Sequence, residues 1–251
     1  MKIRVYGQGP HLVWIPGWGM PSAVFTPLIQ ALSARYTFHL IELADGGSAD
    51  VDRQWACAHL AKTIAEQVPP AIWCGWSMGG VIALQAALIN RQILGLVLLA
   101  TTPCFVRSER WVHGVPLSQL IQFSYELKVN RSRTCQRFNA LCALGSKEAQ
   151  REREYLNHLT EQYQISTHIL DAGLRLLMYT DLSLDIQSID APSLWLSGQH
   201  DRLIASSGVQ AAAARMKNSQ VTLLSETAHV PFIGRSQKQT VECIARFIAG
   251  I

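Results

Sequence analysis

One serine, one aspartate and one histidine, in that order along the chain, could act together as a nucleophile with its base. The serine is Ser77, inside Cys74-Gly75-Trp76-Ser77-Met78-Gly79-Gly80. Before it stands the apolar run Ala71-Ile72-Trp73-Cys74, entered from Pro69-Pro70, which reads as a buried strand leaving a rigid turn. After it, Val81 to Leu88 is apolar and rich in helix formers. Gly-x-Ser-x-Gly between a strand and a helix is the pattern of a nucleophile elbow, a turn too tight for side chains at Gly75 and Gly79. The helix start would aim unpaired N–H groups at the serine, where an oxyanion would form.

A serine hydroxyl is a weak nucleophile until a base takes its proton. At such an elbow the acid and then the histidine follow later in the chain. Ser193-Leu194-Trp195-Leu196-Ser197, opened by Pro192, reads as a strand and runs into Gly198-Gln199-His200-Asp201. Asp201 therefore falls just past a strand end, where a triad carboxylate belongs. Asp171 lies in a helical pattern, and Asp181, Asp185 and Asp190 precede the strand. Another strand, Gln220 to Leu224, leads to Ala228-His229-Val230-Pro231-Phe232, which sets His229 in a loop before the last helix. His229 is the base in this reading, and His200 is its only rival among the eight histidines. A second oxyanion donor has to come from the loop after an early strand. His11 to Ile15 reads as that strand and ends in Pro16-Gly17-Trp18-Gly19-Met20, so the backbone N–H groups of Trp18 and Met78 are the candidate hole.

The elements that must position these residues alternate. Strands are predicted at about 3–7, 11–15, 37–42, 71–76, 94–100, 193–197 and 220–224. Helices are predicted at about 24–33, 53–67, 78–89, 206–216 and 236–249. This argues an α/β fold, a mostly parallel sheet flanked by helices. Between 104 and 187 the alternation stops, and four helices are predicted at about 117–128, 131–144, 147–159 and 165–179. They read as a helical cap, 104–187, inserted after the sixth strand into a core of 1–103 and 188–251, lying over the carboxyl ends of the strands, where ligands bind.

Composition excludes several other classes. The chain has 251 residues, 49% of them apolar, with a net charge of +4, too mild to argue nucleic acid. No apolar run is long enough for a membrane span, and the N-terminus has no hydrophobic signal core, so a cytoplasmic protein is expected. The six cysteines form no Cys-x-x-Cys and no zinc-finger spacing, so reduced thiols and no metal are expected. Nothing resembles a phosphate loop or a dinucleotide fingerprint, so no cofactor is expected. Charge is uneven: from Phe105 to Thr160 nine basic side chains face five acidic ones, which equals the whole chain's excess.

With these residues in view, the whole chain resembles the α/β-hydrolases. Within them it is most similar to the BioH-type pimeloyl-[acyl-carrier-protein] methyl ester esterases of biotin synthesis. The matching segments include Gly17-Trp18-Gly19, Ile72 to Gly80, Thr102-Pro103-Cys104-Phe105, Arg137-Phe138-Asn139-Ala140-Leu141, Gly173 to Leu177, Thr180-Asp181-Leu182 and Ala228 to Phe232. The resemblance implies a serine carboxylesterase, a monomer, acting on a methyl ester carried by acyl carrier protein. It implies that Phe138, Asn139, Ala140, Leu141 and Cys142 line the acyl channel, and that Trp18 and His229 contact the substrate. The chain departs from the family pattern at Pro16, where members usually carry histidine, and at Gln150 and Glu154, where others carry arginine. Acyl carrier protein is acidic, so Arg133, Arg137, Arg151 and Arg153 are the docking candidates. A small-molecule esterase or carbon–carbon hydrolase without a carrier partner is the alternative, and a basic docking face is what separates the two. A non-catalytic binding protein would have no use for Ser77, Asp201 and His229 together.

Overall fold

The computed structural model describes residues 1–32, 35–43 and 56–251. Seven strands form one sheet in the order β1-β3-β2-β4-β5-β6-β7. They are β1 (Lys2–Gly7), β2 (His11–Ile15), β3 (Thr37–Glu42), β4 (Ala71–Trp76), β5 (Ile93–Leu99), β6 (Ser193–Gly198) and β7 (Ser219–Leu224). β1 pairs antiparallel with β3, and every other pairing is parallel. Parallel strands are buried on both faces, and β3, β4 and β6 are buried at every residue.

Strand alternation splits the core into two layers. Leu12 and Trp14 of β2 face one way with Phe38, Leu40, Ile72, Cys74 and Trp76. Val13 and Ile15 face the other way with Ile41, Trp73, Leu96 and Leu98. The first face is covered by α1 (Thr26–Leu32) and α9 (Ser236–Ala249) through Leu28, Leu32, Ile244 and Phe247. The second is covered by α2 (Cys57–Ala65), α3 (Met78–Ile89) and α8 (Ser206–Arg215). α3 shows no amphipathic pattern because it is buried almost all round, which is what a central helix under a cap requires.

Four helices stand between β5 and β6: α4 (Leu117–Val129), α5 (Arg131–Ala143), α6 (Ala149–Tyr163) and α7 (Thr167–Tyr179). Counted along this chain they follow the fifth strand, not the sixth, because a single antiparallel strand precedes the parallel run. Asn130 accepts the N–H of Arg133 at 3.0 Å and caps α5, which fixes the sharp α4–α5 corner. The expected first helix begins instead as a 3-10 turn at Ser22–Phe25, and residue 33 lies outside the described residues. For the second, residues 53–55 lie outside them too, and the helix runs from Cys57. All six cysteines are free thiols, and five are buried. Among the described residues no helix is long and apolar enough to cross a membrane.

One buried acid marks the packing of α6. Glu152 is 2% exposed, and its Oε1 accepts the Ser146 hydroxyl at 2.5 Å while Oε2 has no partner among the described residues. Burial raises its pKa from 4.5 to about 7, and the nearby Glu148 adds to the rise. Between those values the folded protein holds a proton that the unfolded chain has released, so stability falls as pH rises through that window. Glu152→Gln keeps the shape and removes the titration. Thermal melts at about pH 5 and about pH 8 should show a smaller difference in Tm for the variant, with the gain at the higher pH.

Candidate active site

β2 and β4 are neighbours, yet the chain leaves β2 for β3 on one side and returns to β4 on the other. Their carboxyl ends therefore flank a crevice at a topological switch point, the place where open α/β sheets bind ligands. The loop after β2 carries Trp18, and the turn after β4 carries Ser77.

Ser77 joins β4 to α3 with φ 54° and ψ −118°, outside the regions that a residue with a side chain normally occupies. The neighbours impose this. A Cβ on Gly79 would stand 2.1 Å from the Ile15 carbonyl oxygen, and one on Gly75 would stand 2.4 Å from the Gly79 carbonyl oxygen. Helix α3 thus enters the sheet at backbone contact, and the serine is squeezed out above it. Thr101 donates its hydroxyl to the Ser77 carbonyl at 2.7 Å, and the Ser77 N–H donates to Leu99 at 2.9 Å.

The structure brings the three predicted residues together. His229 Nε2 lies 2.9 Å from Ser77 Oγ, and His229 Nδ1 lies 2.7 Å from Asp201 Oδ2. His229 is wholly buried, Ser77 is 3% exposed and Asp201 is 7% exposed. Asp201 Oδ1 accepts the N–H groups of Leu203 at 2.8 Å and Ile204 at 2.9 Å, so the turn after β6 locks the carboxylate. A proton on Nδ1 facing Asp201 leaves the Nε2 lone pair facing the serine, as a general base needs. His200, the rival, is exposed and gives its backbone N–H to Thr227.

Two supports of His229 were not predicted. Trp76 donates its indole N–H to the His229 carbonyl at 2.8 Å, and the His229 N–H donates to the Cys142 carbonyl at 3.0 Å. The tryptophan beside the serine was a visible signal. The carbonyl of Cys142 carries no signal in a sequence.

Trp18 is buried, donates its indole N–H to Leu170 of α7 at 2.7 Å, and packs edge-on to Phe138 of α5 and Phe123 of α4. Met78 opens α3, so its N–H has no partner within the helix. Above Ser77 lies a cavity of about 320 Å³. Trp18, Phe105, Val115, Leu120, Phe123, Phe138, Leu141, Leu174, Leu177 and Leu203 form its apolar wall. Ser118, Gln119, Gln122 and Arg137 supply polar groups.

The five-residue segment of α5 divides between faces. Phe138 and Leu141 line the cavity. Asn139 turns away to Asn157 and Thr160 of α6, at 2.9 and 3.0 Å. Cys142 is wholly buried among other core residues, and burial raises its thiol pKa well above normal. Ala140 is half-buried off the cavity wall. A helix turns about 100° per residue, so five successive side chains cannot share one wall. Of the four arginines, Arg137 reaches the cavity and pairs with Glu126 of α4. Arg133 is exposed on α5, without an ion-pair partner among the described residues. Arg151 pairs with Glu148 at 3.7 Å, and Arg153 is exposed. Both belong to α6, which contributes no residue to the cavity wall. Among the described residues no cluster of three or more metal-binding side chains occurs.

The alpha/beta hydrolase family model matches residues 12–242. The chain belongs to that family. It is 42% identical to the pimeloyl-[acyl-carrier protein] methyl ester esterase of Xylella fastidiosa strain 9a5c, over 99% of each chain. It is 39% identical to the protein of the same name from Stenotrophomonas maltophilia strain R551-3, covering all of this chain and 97% of that one. Among solved structures, an esterase from Exiguobacterium antarcticum superposes with a TM-score of 0.87, covering 98% of this chain and 94% of that one at 19% identity. That likeness confirms the α/β-hydrolase fold. The esterase resemblance carried by the sequence motifs therefore extends over the full chain.

Trp76→Phe keeps the ring and removes one donor, leaving the buried His229 carbonyl short of a partner. Leaving such a group unpaired costs about 1–3 kcal/mol. A fall in kcat larger than any change in KM, with a lowered Tm, is the expected outcome of steady-state kinetics and a thermal melt.

Proposed function

We propose that this chain is a serine carboxylesterase that hydrolyses the methyl ester of a pimeloyl group carried on acyl carrier protein. The observation that carries the reading is the unbroken chain of contacts Ser77–His229–Asp201 at the floor of a mainly apolar cavity. The names of relatives 39–42% identical over nearly the whole chain supply the substrate. An apolar wall with a few polar groups suits an acyl chain with an ester at its inner end.

The chemistry follows from the contacts. Ser77 Oγ attacks the ester carbonyl as His229 Nε2 takes its proton. The carbonyl oxygen becomes an oxyanion, held by the N–H groups of Trp18 and Met78. When the tetrahedral centre collapses, the bond to the methoxy oxygen breaks and His229 returns the proton, releasing methanol. Water then attacks the acyl-serine with His229 again as base, and the free carboxylate leaves with Ser77 restored. Asp201 holds the imidazole and balances the charge it gains during each transfer. Removing the methyl cap would end chain elongation on the way to biotin. In this reading the enzyme works in the cytoplasm as a monomer, without nucleic acid or cofactor. The helices of 104–187 serve as the cap, with Arg133 and Arg137 at its docking face and Arg151 and Arg153 further from the mouth.

The test is rescue. The gene should restore growth without biotin to a strain lacking its own esterase, and Ser77→Ala should not. Failure of the unaltered gene, with activity retained on small esters, would move the small-molecule alternative ahead. In the purified protein, Ser77→Ala and His229→Ala should each lower ester turnover by about 10⁴-fold or more with circular dichroism unchanged. Asp201→Asn should follow, because it leaves His229 in the wrong tautomer.

A further inference from the structure

α4 has two exposed aspects. Ser118, Gln119 and Gln122 line the cavity. Leu117, Ile121, Tyr125 and Val129 follow one another at every fourth position, so they fall in one row along the helix. All four are exposed, by 41%, 55%, 65% and 68%. Single apolar residues on a surface are ordinary, but a contiguous row of four marks an interaction surface. Ile121 and Tyr125 stand three positions after Ser118 and Gln122, so the middle of the row adjoins those exposed cavity-lining residues.

Charge flanks the row. Lys128 stands beside Val129 and reaches Asp171 at 3.7 Å, while Arg133 follows one turn later on α5. Arg137 reaches from α5 to Glu126 of α4 at the mouth itself. The surface is thus an apolar strip with a basic end, beside an opening that leads to Ser77.

We propose that this row on α4 is the seat of the carrier protein itself. The inference rests on the substrate reading above. A chain tethered to a protein can reach Ser77 only through the mouth, so the body of that protein has to cover the rim, to which the exposed Ser118, Gln119 and Gln122 of α4 contribute with Arg137 of α5. Acyl carrier protein is small and acidic, which suits an apolar strip ending in Lys128, Arg133 and Arg137. Apolar contact at the centre gives affinity, and the basic end steers the encounter. The arginines of α6 stand off this path, since α6 lines no part of the cavity.

The experiment compares two substrates on the full-length enzyme: pimeloyl-acyl-carrier-protein methyl ester and p-nitrophenyl acetate. Ile121→Ser with Tyr125→Ser removes the middle of the row, and neither side chain lines the cavity. KM for the carrier-bound ester should rise about ten-fold or more, with kcat and p-nitrophenyl acetate turnover within about two-fold of the unaltered enzyme. Val129→Ser, at the far end, should give a smaller rise in the same direction. An unchanged KM for the carrier-bound ester would overturn the proposal and leave the substrate reading standing. An unaltered enzyme that cleaves free esters but not the carrier-bound one would overturn both. Sedimentation adds a third outcome: a dimer that the double substitution splits would give the row to a second copy of this chain and overturn the carrier proposal.

Discussion

The close approach of helix α3 to the sheet is the constraint on which the site depends. Gly79 lies so near the Ile15 carbonyl that no side chain fits, and Gly75 lies as near the Gly79 carbonyl. Together they bring the start of α3 against the ends of β2 and β4. Ser77 is left with a strained backbone, φ 54° and ψ −118°, and the buried bonds to Leu99 and Thr101 hold it there. A relaxed turn would lower the serine into the core or swing it to the surface. The strain is thus what lifts the hydroxyl towards His229 and keeps the first N–H of α3 beside it.

His229 is held by three parts of the chain at once. β4 reaches the His229 carbonyl through Trp76, the turn after β6 reaches its ring through Asp201, and α5 reaches its N–H through Cys142. The last of these makes the inserted helices part of the support of His229 as well as walls of the cavity. The turn between α5 and α6 strengthens the tie. Lys147 donates its backbone N–H to Glu226 at 2.9 Å and its ammonium to the same residue's carboxylate at 2.7 Å. Gly145, at φ 100°, packs where a Cβ would stand 2.8 Å from the His200 carbonyl oxygen. Movement of α5 as a whole would therefore disturb the loops that carry Asp201 and His229.

The sheet and the meeting of Ser77, Asp201 and His229 were legible because their signals are local. A strand end, a glycine pair and a loop histidine between apolar residues each constrain the backbone within a few positions, and chain order did the rest. The inserted helices were legible as helices for the same reason. Their contribution to the cavity was not, because it depends on the rotation of each helix against a neighbour far away in sequence. Phe138 and Leu141 reach the cavity while Asn139 satisfies Asn157 and Thr160, and nothing within the segment decides between those faces. Leu203 and Phe105 were missed because they lie in loops, where no period points a side chain inward. The supports of His229 were hidden more deeply still, since a backbone carbonyl such as that of Cys142 looks alike in every sequence.

Division of labour follows from this arrangement. Ser77, Asp201 and His229 come from turns at the ends of β4 and β6 and from the loop after β7; β4 and β6 are buried at every residue, while β7 is the part-exposed edge of the sheet. Most of the cavity wall comes from α4, α5 and α7, which rest on the sheet through side chains rather than through a hydrogen-bond ladder. Side-chain packing tolerates volume-conserving exchange far better than a strained turn tolerates any change. The fit of an acyl chain can therefore be altered at Phe123, Leu174 or Leu177 without touching the elbow. Trp18 is the exception, because its backbone is the proposed second oxyanion donor while its ring packs on Phe123 and Phe138. Its indole bond to Leu170 ties α7 to the loop after β2. A displacement of α7 is then felt at the loop after β2 directly, and in the proposed mechanism that makes Trp18 the joint between the cavity wall and the oxyanion site.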